Sequence, residues 1–172
     1  MIVMDPWIDM ASDHLNEYFG KILNYRIIPL VRHALNRGLP IVVFTNHPKG
    51  STHSSNIHPE LETLVENGEI IKLFHDDFDD DRFAHYLRSQ GIDSLIYIGF
   101  SSNMCVIGRR TGMIPMVQQG FRIFFVPGAS AAIELADTWN EQSIHKTSTT
   151  IISQWIAEII DYNDFMNVLV KE

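Results

Sequence analysis

Cysteine is nearly absent from this sequence: Cys105 is the single one among 172 residues. No internal disulfide can form, which fits a reducing, cytoplasmic setting. Basic residues are scarce, 13 Lys and Arg against 21 Asp and Glu, a formal charge of −8. That balance speaks against nucleic acid or an anionic membrane as partner, since both need a basic face. Long apolar runs are missing too. The longest, Ile27 to Val31 and Ile41 to Phe44, fall far short of a bilayer span. Asp5 follows Met1 closely with no basic leader between them, so no signal peptide is expected. Eight histidines are present, yet neither a CxxC nor an HExxH spacing occurs, which leaves zinc-finger and zincin readings without support. No repeat and no Gly, Ser or Pro linker divides the chain. One domain over residues 1–172 is expected, with 45% apolar residues to build its core.

What is present is a recurring unit: a glycine, a short apolar run, then an amphipathic stretch. The runs are Ile41 to Phe44, Ile70 to Leu73, Leu95 to Ile98 and Phe121 to Val126, with Met1 to Met4 and Ile151-Ile152 as further strands. Short and continuously apolar, they suit strands covered on both faces. Ile27, Leu30, Val31, Ala34 and Leu35 keep a helical period, as do Phe83, Tyr86 and Leu87. Val106 to Gln119 reads as another helix, and Ile156, Ile159 and Ile160 mark a last one. The expected fold is α/β: a three-layer α/β/α Rossmann-like sandwich around a mostly parallel six-stranded sheet. Ligands in such sheets bind beyond the carboxyl ends of the strands, where strand order reverses.

Three residues near strand ends carry chemistry. Cys105 lies six residues after Gly99, between a strand and an amphipathic stretch. A thiol in a first helical turn is drawn toward thiolate by unpaired N–H groups and the helix dipole, and the same amides can hold an oxyanion. A buried inert cysteine is the plainer alternative. Asp5 closes the first strand, as a base or as a turn residue. Lys72 interrupts Ile70-Ile71-Lys72-Leu73-Phe74, where it is either functional or an edge-strand guard. Brought together, the carboxylate would take the thiol proton and the ammonium would stabilise the anion. The acids from Asp76 to Asp81 precede the Phe83 helix and read as its cap. Arg109 or Arg110 would face a substrate carboxylate, solvent or a partner subunit.

On these residues the sequence resembles the isochorismatase-like cysteine hydrolases, which include nicotinamidases and N-carbamoylsarcosine amidohydrolases. Ile2 to Met10 looks like the family's opening strand with its aspartate, and Gly38 to Thr45 like its second strand. Ile57-His58-Pro59-Glu60-Leu61 and the six-residue spacing from Lys72 to Phe78 match its lysine region. Gly91-Ile92-Asp93 and Gly99 to Val106 match its nucleophile strand and turn, and Gly120 to Pro127 the strand that follows. The resemblance implies Asp5 as general base, Lys72 as electrostatic partner and Cys105 as nucleophile. It implies a cis Phe100-Ser101 peptide, with the amides of Ser101 and Cys105 as oxyanion hole. The reaction implied is hydrolysis of a C–N bond in a small amide or ureido substrate through a thioester.

The chain departs from the family at Trp7, where many members have glutamine, and at Gly128, where an aspartate is usual. Trp7 and Phe100 are the expected substrate-binding residues. No cofactor is required by the resemblance. Nicotinamidases hold a divalent ion in the loop after strand two, and His47, His53 and His58 stand there; the family's metal-binding aspartate has no fixed counterpart, and no metal ligand is assigned. A homo-oligomer is expected, with Met113, Ile114 and Met116 as either interface or core. Two rival readings share the scaffold. One is vinyl ether hydrolysis as in isochorismatases, which lack the cysteine. The other is a silent relative that binds a metabolite or senses oxidants through Cys105.

Overall fold

The computed structural model describes residues 1–8, 13–47 and 56–168. Asp9 and Met10 of the opening motif and His53 lie outside the described residues. Six strands form one sheet in the order β3-β2-β1-β4-β5-β6, every neighbouring pair parallel. They are β1 Ile2–Met4, β2 Val42–Thr45, β3 Ile71–Phe74, β4 Ser94–Phe100, β5 Arg122–Ala131 and β6 Glu158–Ile159. Side chains alternate between two cores, as the pleat requires. Val3, Val43, Ile98 and Phe100 pack on one face beneath α1 (Asp13–Ile22), α2 (Ile28–Asn36), α3 (Pro59–Glu66) and α8 (Tyr162–Val168). Ile2, Met4, Phe44 and Tyr97 pack on the other, against α4 (Asp80–Ser89), α5 (Cys105–Gly108), α6 (Met113–Gln118) and α7 (Ser143–Trp155).

Local sequence explains the helices. Asp79 caps α4 by accepting the Arg82 N–H at 2.8 Å, the role expected of the acidic run. Between α1 and α2 the chain makes a π-helical turn, Leu23–Ile27, in which the Ile28 N–H reaches back to the Leu23 carbonyl. Pro29 follows at once; it has no N–H and its ring needs room beside the preceding turn, and the wider turn accommodates both.

Three expectations are corrected. Ile151 and Ile152 belong to α7 rather than to a strand: buried Ser148 and Ile152 are four residues apart, a helical spacing. The sixth strand is Glu158–Ile159, where the last helix was expected, and Ile160 prolongs its ladder by donating to the Phe125 carbonyl at 2.9 Å. The stretch Val106 to Gln119 is two short helices, broken between Arg109 and Gly112. Met113 and Met116 are fully buried, so they are core and not interface.

The order in which strands are added reverses between β1 and β4. A crevice forms at such a switch point, and one glycine brings its two sides together, while a second makes room for a helix on the sheet. Gly99, at φ 107°, is pressed so close to β1 that a Cβ would lie 2.1 Å from the Met4 carbonyl oxygen. Only glycine permits this approach, and it brings the end of β4 against the end of β1. Gly128 leaves room for Tyr162 of α8, whose Cβ a side chain would meet at 2.7 Å.

Candidate active site

Asp5 leaves β1 with φ 46°, and its N–H is tied to the Phe44 carbonyl at 3.0 Å. Its carboxylate is buried. Across the switch point, β4 ends in a cis Phe100-Ser101 peptide. The Ser101 carbonyl accepts from the amides of Met104 and Val106, at 3.0 and 3.1 Å, and the Ser102 N–H donates to Ala131 at 2.8 Å. The Ser102 hydroxyl meets His145 Nδ1 at 2.8 Å, and Asn103 Oδ1 accepts the Ile133 N–H at 3.1 Å. Fixed by β5 and α7, this turn delivers Cys105 as the first residue of α5. His145 in turn bonds the Pro127 backbone, and burial lowers its pKa. A neutral ring leaves Nδ1 free to accept from Ser102.

Cys105 stands with Asp5 and Arg109. Its thiol is pushed up from the ordinary value, chiefly by burial and then by the Asp5 charge, while Arg109 pulls it down. The expected depression by a helix N-terminus is not seen. α5 has only four residues, too short for a substantial dipole, and burial beside a carboxylate outweighs it. The resting sulfur is therefore a thiol that needs a base at the moment of attack. Arg109 Nη2 lies 4.0 Å from Asp5 Oδ2 and 3.3 Å from Asn46 Oδ1. It reaches there because the break after α5 leaves Arg109 extended, at φ −60° and ψ 156°.

Lys72 does not join this group. Register alone explains why. Val3 pairs with Val43 and Val43 with Lys72, so Lys72 stands level with Val3, two residues below Asp5 and two strands away. That is about 7 Å down and about 10 Å across. Its ammonium binds both oxygens of Glu62 on α3, at 2.8 and 2.6 Å. The residue that meets Asp5 is His75, in a single 3₁₀ turn after β3: Nε2 lies 2.8 Å from Oδ1. The two side chains are 4% and 1% exposed, and the Phe44 ring stacks on the imidazole at 5.3 Å. A histidine three places beyond the lysine, directly after the strand, is the signal in the sequence, whereas the spacing from Lys72 to Phe78 points to the lysine.

The other expected residues divide. Ser101 and Cys105 stand together at the turn. Trp7 is half-buried, with its indole N–H donated to Thr45 at 2.9 Å and a bridge to Ile57. Phe100 is corrected: it is 1% exposed and stacked on Phe19 at 4.1 Å, so it supports the turn from within the core and does not line the crevice. Of the loop histidines in the nicotinamidase resemblance, the two that are described, His47 and His58, are engaged with neighbouring side chains and backbone. His58 accepts the Glu60 N–H on Nδ1 at 3.2 Å and meets Asn24 Oδ1 through Nε2 at 3.1 Å, leaving neither nitrogen for a metal. His47 stacks on Phe74 at 4.3 Å. Among the described residues no group of three or more His, Cys, Asp or Glu is placed to hold an ion. No helix among them is long and apolar enough to cross a membrane.

Comparison with known proteins agrees with this fold. A pyrazinamidase/nicotinamidase from Streptococcus mutans superposes with a TM-score of 0.70 at 18% identity, over 92% of this chain and 98% of its own. A cysteine hydrolase from Pseudomonas syringae superposes at 0.66 and 15% identity, over 98% and 90%. An octameric hydrolase of unknown specificity from Escherichia coli does so at 0.65 and 17%, over 96% and 76%. At these identities the likeness is one of fold. No curated protein matches the sequence. The isochorismatase domain model, however, matches residues 1–164, nearly the whole length, and the chain belongs to that family.

Proposed function

We propose that the chain is a cysteine hydrolase acting on a C–N bond of a small amide or ureido substrate. The observation that carries this reading is the placement of the Cys105 thiol beside the buried Asp5 carboxylate at the switch point. Cys105 Sγ bonds to the substrate carbonyl carbon, the carbonyl π pair moves onto oxygen, and the thiol proton passes to Asp5. The amides of Ser101 and Cys105 receive the oxyanion. When the C–N bond breaks, Asp5 returns the proton to the leaving nitrogen. Water then cleaves the thioester and frees the acid. The family assignment and the cysteine hydrolase among the fold neighbours support the same class. Trp7 stands as a wall of the crevice, and the octameric neighbour supports a homo-oligomeric assembly. The single cysteine supports a cytoplasmic setting, and no step calls for a metal.

A panel of small amides and ureides, with released ammonia as the readout, tests the proposal. The wild type should release ammonia with or without chelator, and Cys105→Ala should not, while melting at nearly the same temperature. Unchanged turnover in Cys105→Ala would remove the mechanism.

A further inference from the structure

We propose that His75 and Arg109 share the part expected of Lys72: His75 positions the Asp5 carboxylate, and Arg109 supplies the permanent positive charge beside the sulfur. This rests on the reading of Cys105 as nucleophile and Asp5 as its base. The geometry supports the division. A carboxylate can only accept, so the 2.8 Å contact requires His75 Nε2 to carry the hydrogen and donate it to Asp5 Oδ1. Nδ1 is buried and has no hydrogen-bond partner among the described residues. His75 is thus a one-handed donor aimed at the base. Asp5 Oδ2 is likewise buried without a hydrogen-bond partner, which leaves that oxygen to take the thiol proton while Oδ1 keeps its bond to His75.

Arg109 answers the other requirement. It stays charged at any working pH, and its guanidinium is the group that eases ionisation of Cys105. Lys72, spent on Glu62, does neither. The charged groups around His75 are Asp5 from β1, Asp76 and Asp77 in its own turn, Asp79 and Arg82 at the start of α4, and Arg109 and Arg110 from the segment after α5. His75, Asp76, Arg109, Arg110 and Thr111 line a cavity of about 180 Å³. Phe44 of β2 presents only its ring.

Because Cys105 is the single cysteine, alkylation by iodoacetamide reads its thiolate fraction without any substrate. Labelling from pH 6 to 10, followed by mass spectrometry, is compared for wild type, Arg109→Gln, His75→Gln, His75→Leu and Lys72→Met. Arg109→Gln should slow labelling at neutral pH by about tenfold, one unit of thiol pKa. His75→Leu should also slow it, because Asp5 loses its donor and repels the thiolate more strongly. His75→Gln, which can put an amide N–H where Nε2 stood, should restore the wild-type profile, and Lys72→Met should leave it unchanged. If the histidine served packing alone, the leucine would do as well as the glutamine, and that order would overturn the proposal. So would slowing by Lys72→Met equal to that by Arg109→Gln. Should His75→Leu fail to fold, the remaining variants still decide. Retained turnover in Cys105→Ala would instead defeat the hydrolase reading, a result the labelling pattern cannot produce.

Discussion

Two acid–base pairs of nearly equal length sit on β3 and the turn after it, and they differ in what surrounds them. His75 and Asp5, 2.8 Å apart, are 4% and 1% exposed. Lys72 and Glu62, 2.6 Å apart, are 25% and 35% exposed. The second pair trades water for a partner and gains little, since exposed ion pairs contribute about 0–1 kcal/mol. The first cannot be halved cheaply, because removing one member strands the other without water. Burial, and not the contact distance, separates the site from its surroundings.

Mutations can break that contrast, in order of size. Cys105→Ala should lower kcat/KM at least about a thousandfold on any amide the wild type hydrolyses, as loss of a nucleophile does, with no matching loss of stability. Asp5→Asn should follow closely, because its amide cannot accept the thiol proton; steady-state kinetics checks both. His75→Leu should cost about 3 kcal/mol in a denaturant titration, the penalty of leaving the Asp5 carboxylate buried without its donor. An unchanged midpoint there would put the pair in the same class as Lys72 and Glu62.

Acid should act next. Burial lowers the pKa of His145, so the folded state resists its protonation, and stability falls as pH drops below the ordinary value of 6.5. For Glu134, burial opposes the charge, yet the amides of His145 and Ile144 and the Thr138 hydroxyl together lower its pKa. Its contribution is present above 4.5 and is lost as pH falls further. Melting temperature should therefore decline in two stages on acidification, and Glu134→Gln should remove the lower one at a cost of about 1–2 kcal/mol. Smallest of all, Lys72→Met should change stability by less than about 1 kcal/mol. A larger loss in thermal melting would give the outer pair more weight than its exposure allows.

Much of this was legible in the residues. Continuous apolar runs announced a sheet covered on both faces, and Asp5 and Cys105 each followed such a run closely. Helix α1 is not among the expected helices, although Leu15, Tyr18, Phe19 and Ile22 keep a helical period, all packed into or against the core. The Val106 to Gln119 stretch carries an unbroken apolar pattern, and only Gly108 and Gly112 hint at the break that turns Arg109 toward Asp5. Gly99 could be read as a turn, but not as the point where β4 touches β1.

The sequence by itself determined the layered α/β architecture, the acid at the first strand end and the lone thiol, because periodicity and strand-end position are local properties of the chain. Only the tertiary structure decided which cation meets the acid. That choice depends on register between strands far apart in sequence, which sets Lys72 level with Val3, facing Glu62, and lifts His75 to the rim beside Asp5. Burial, which raises the Cys105 thiol and isolates the Asp5–His75 pair, is likewise a property of the packed chain, since no residue type carries its own dielectric surroundings.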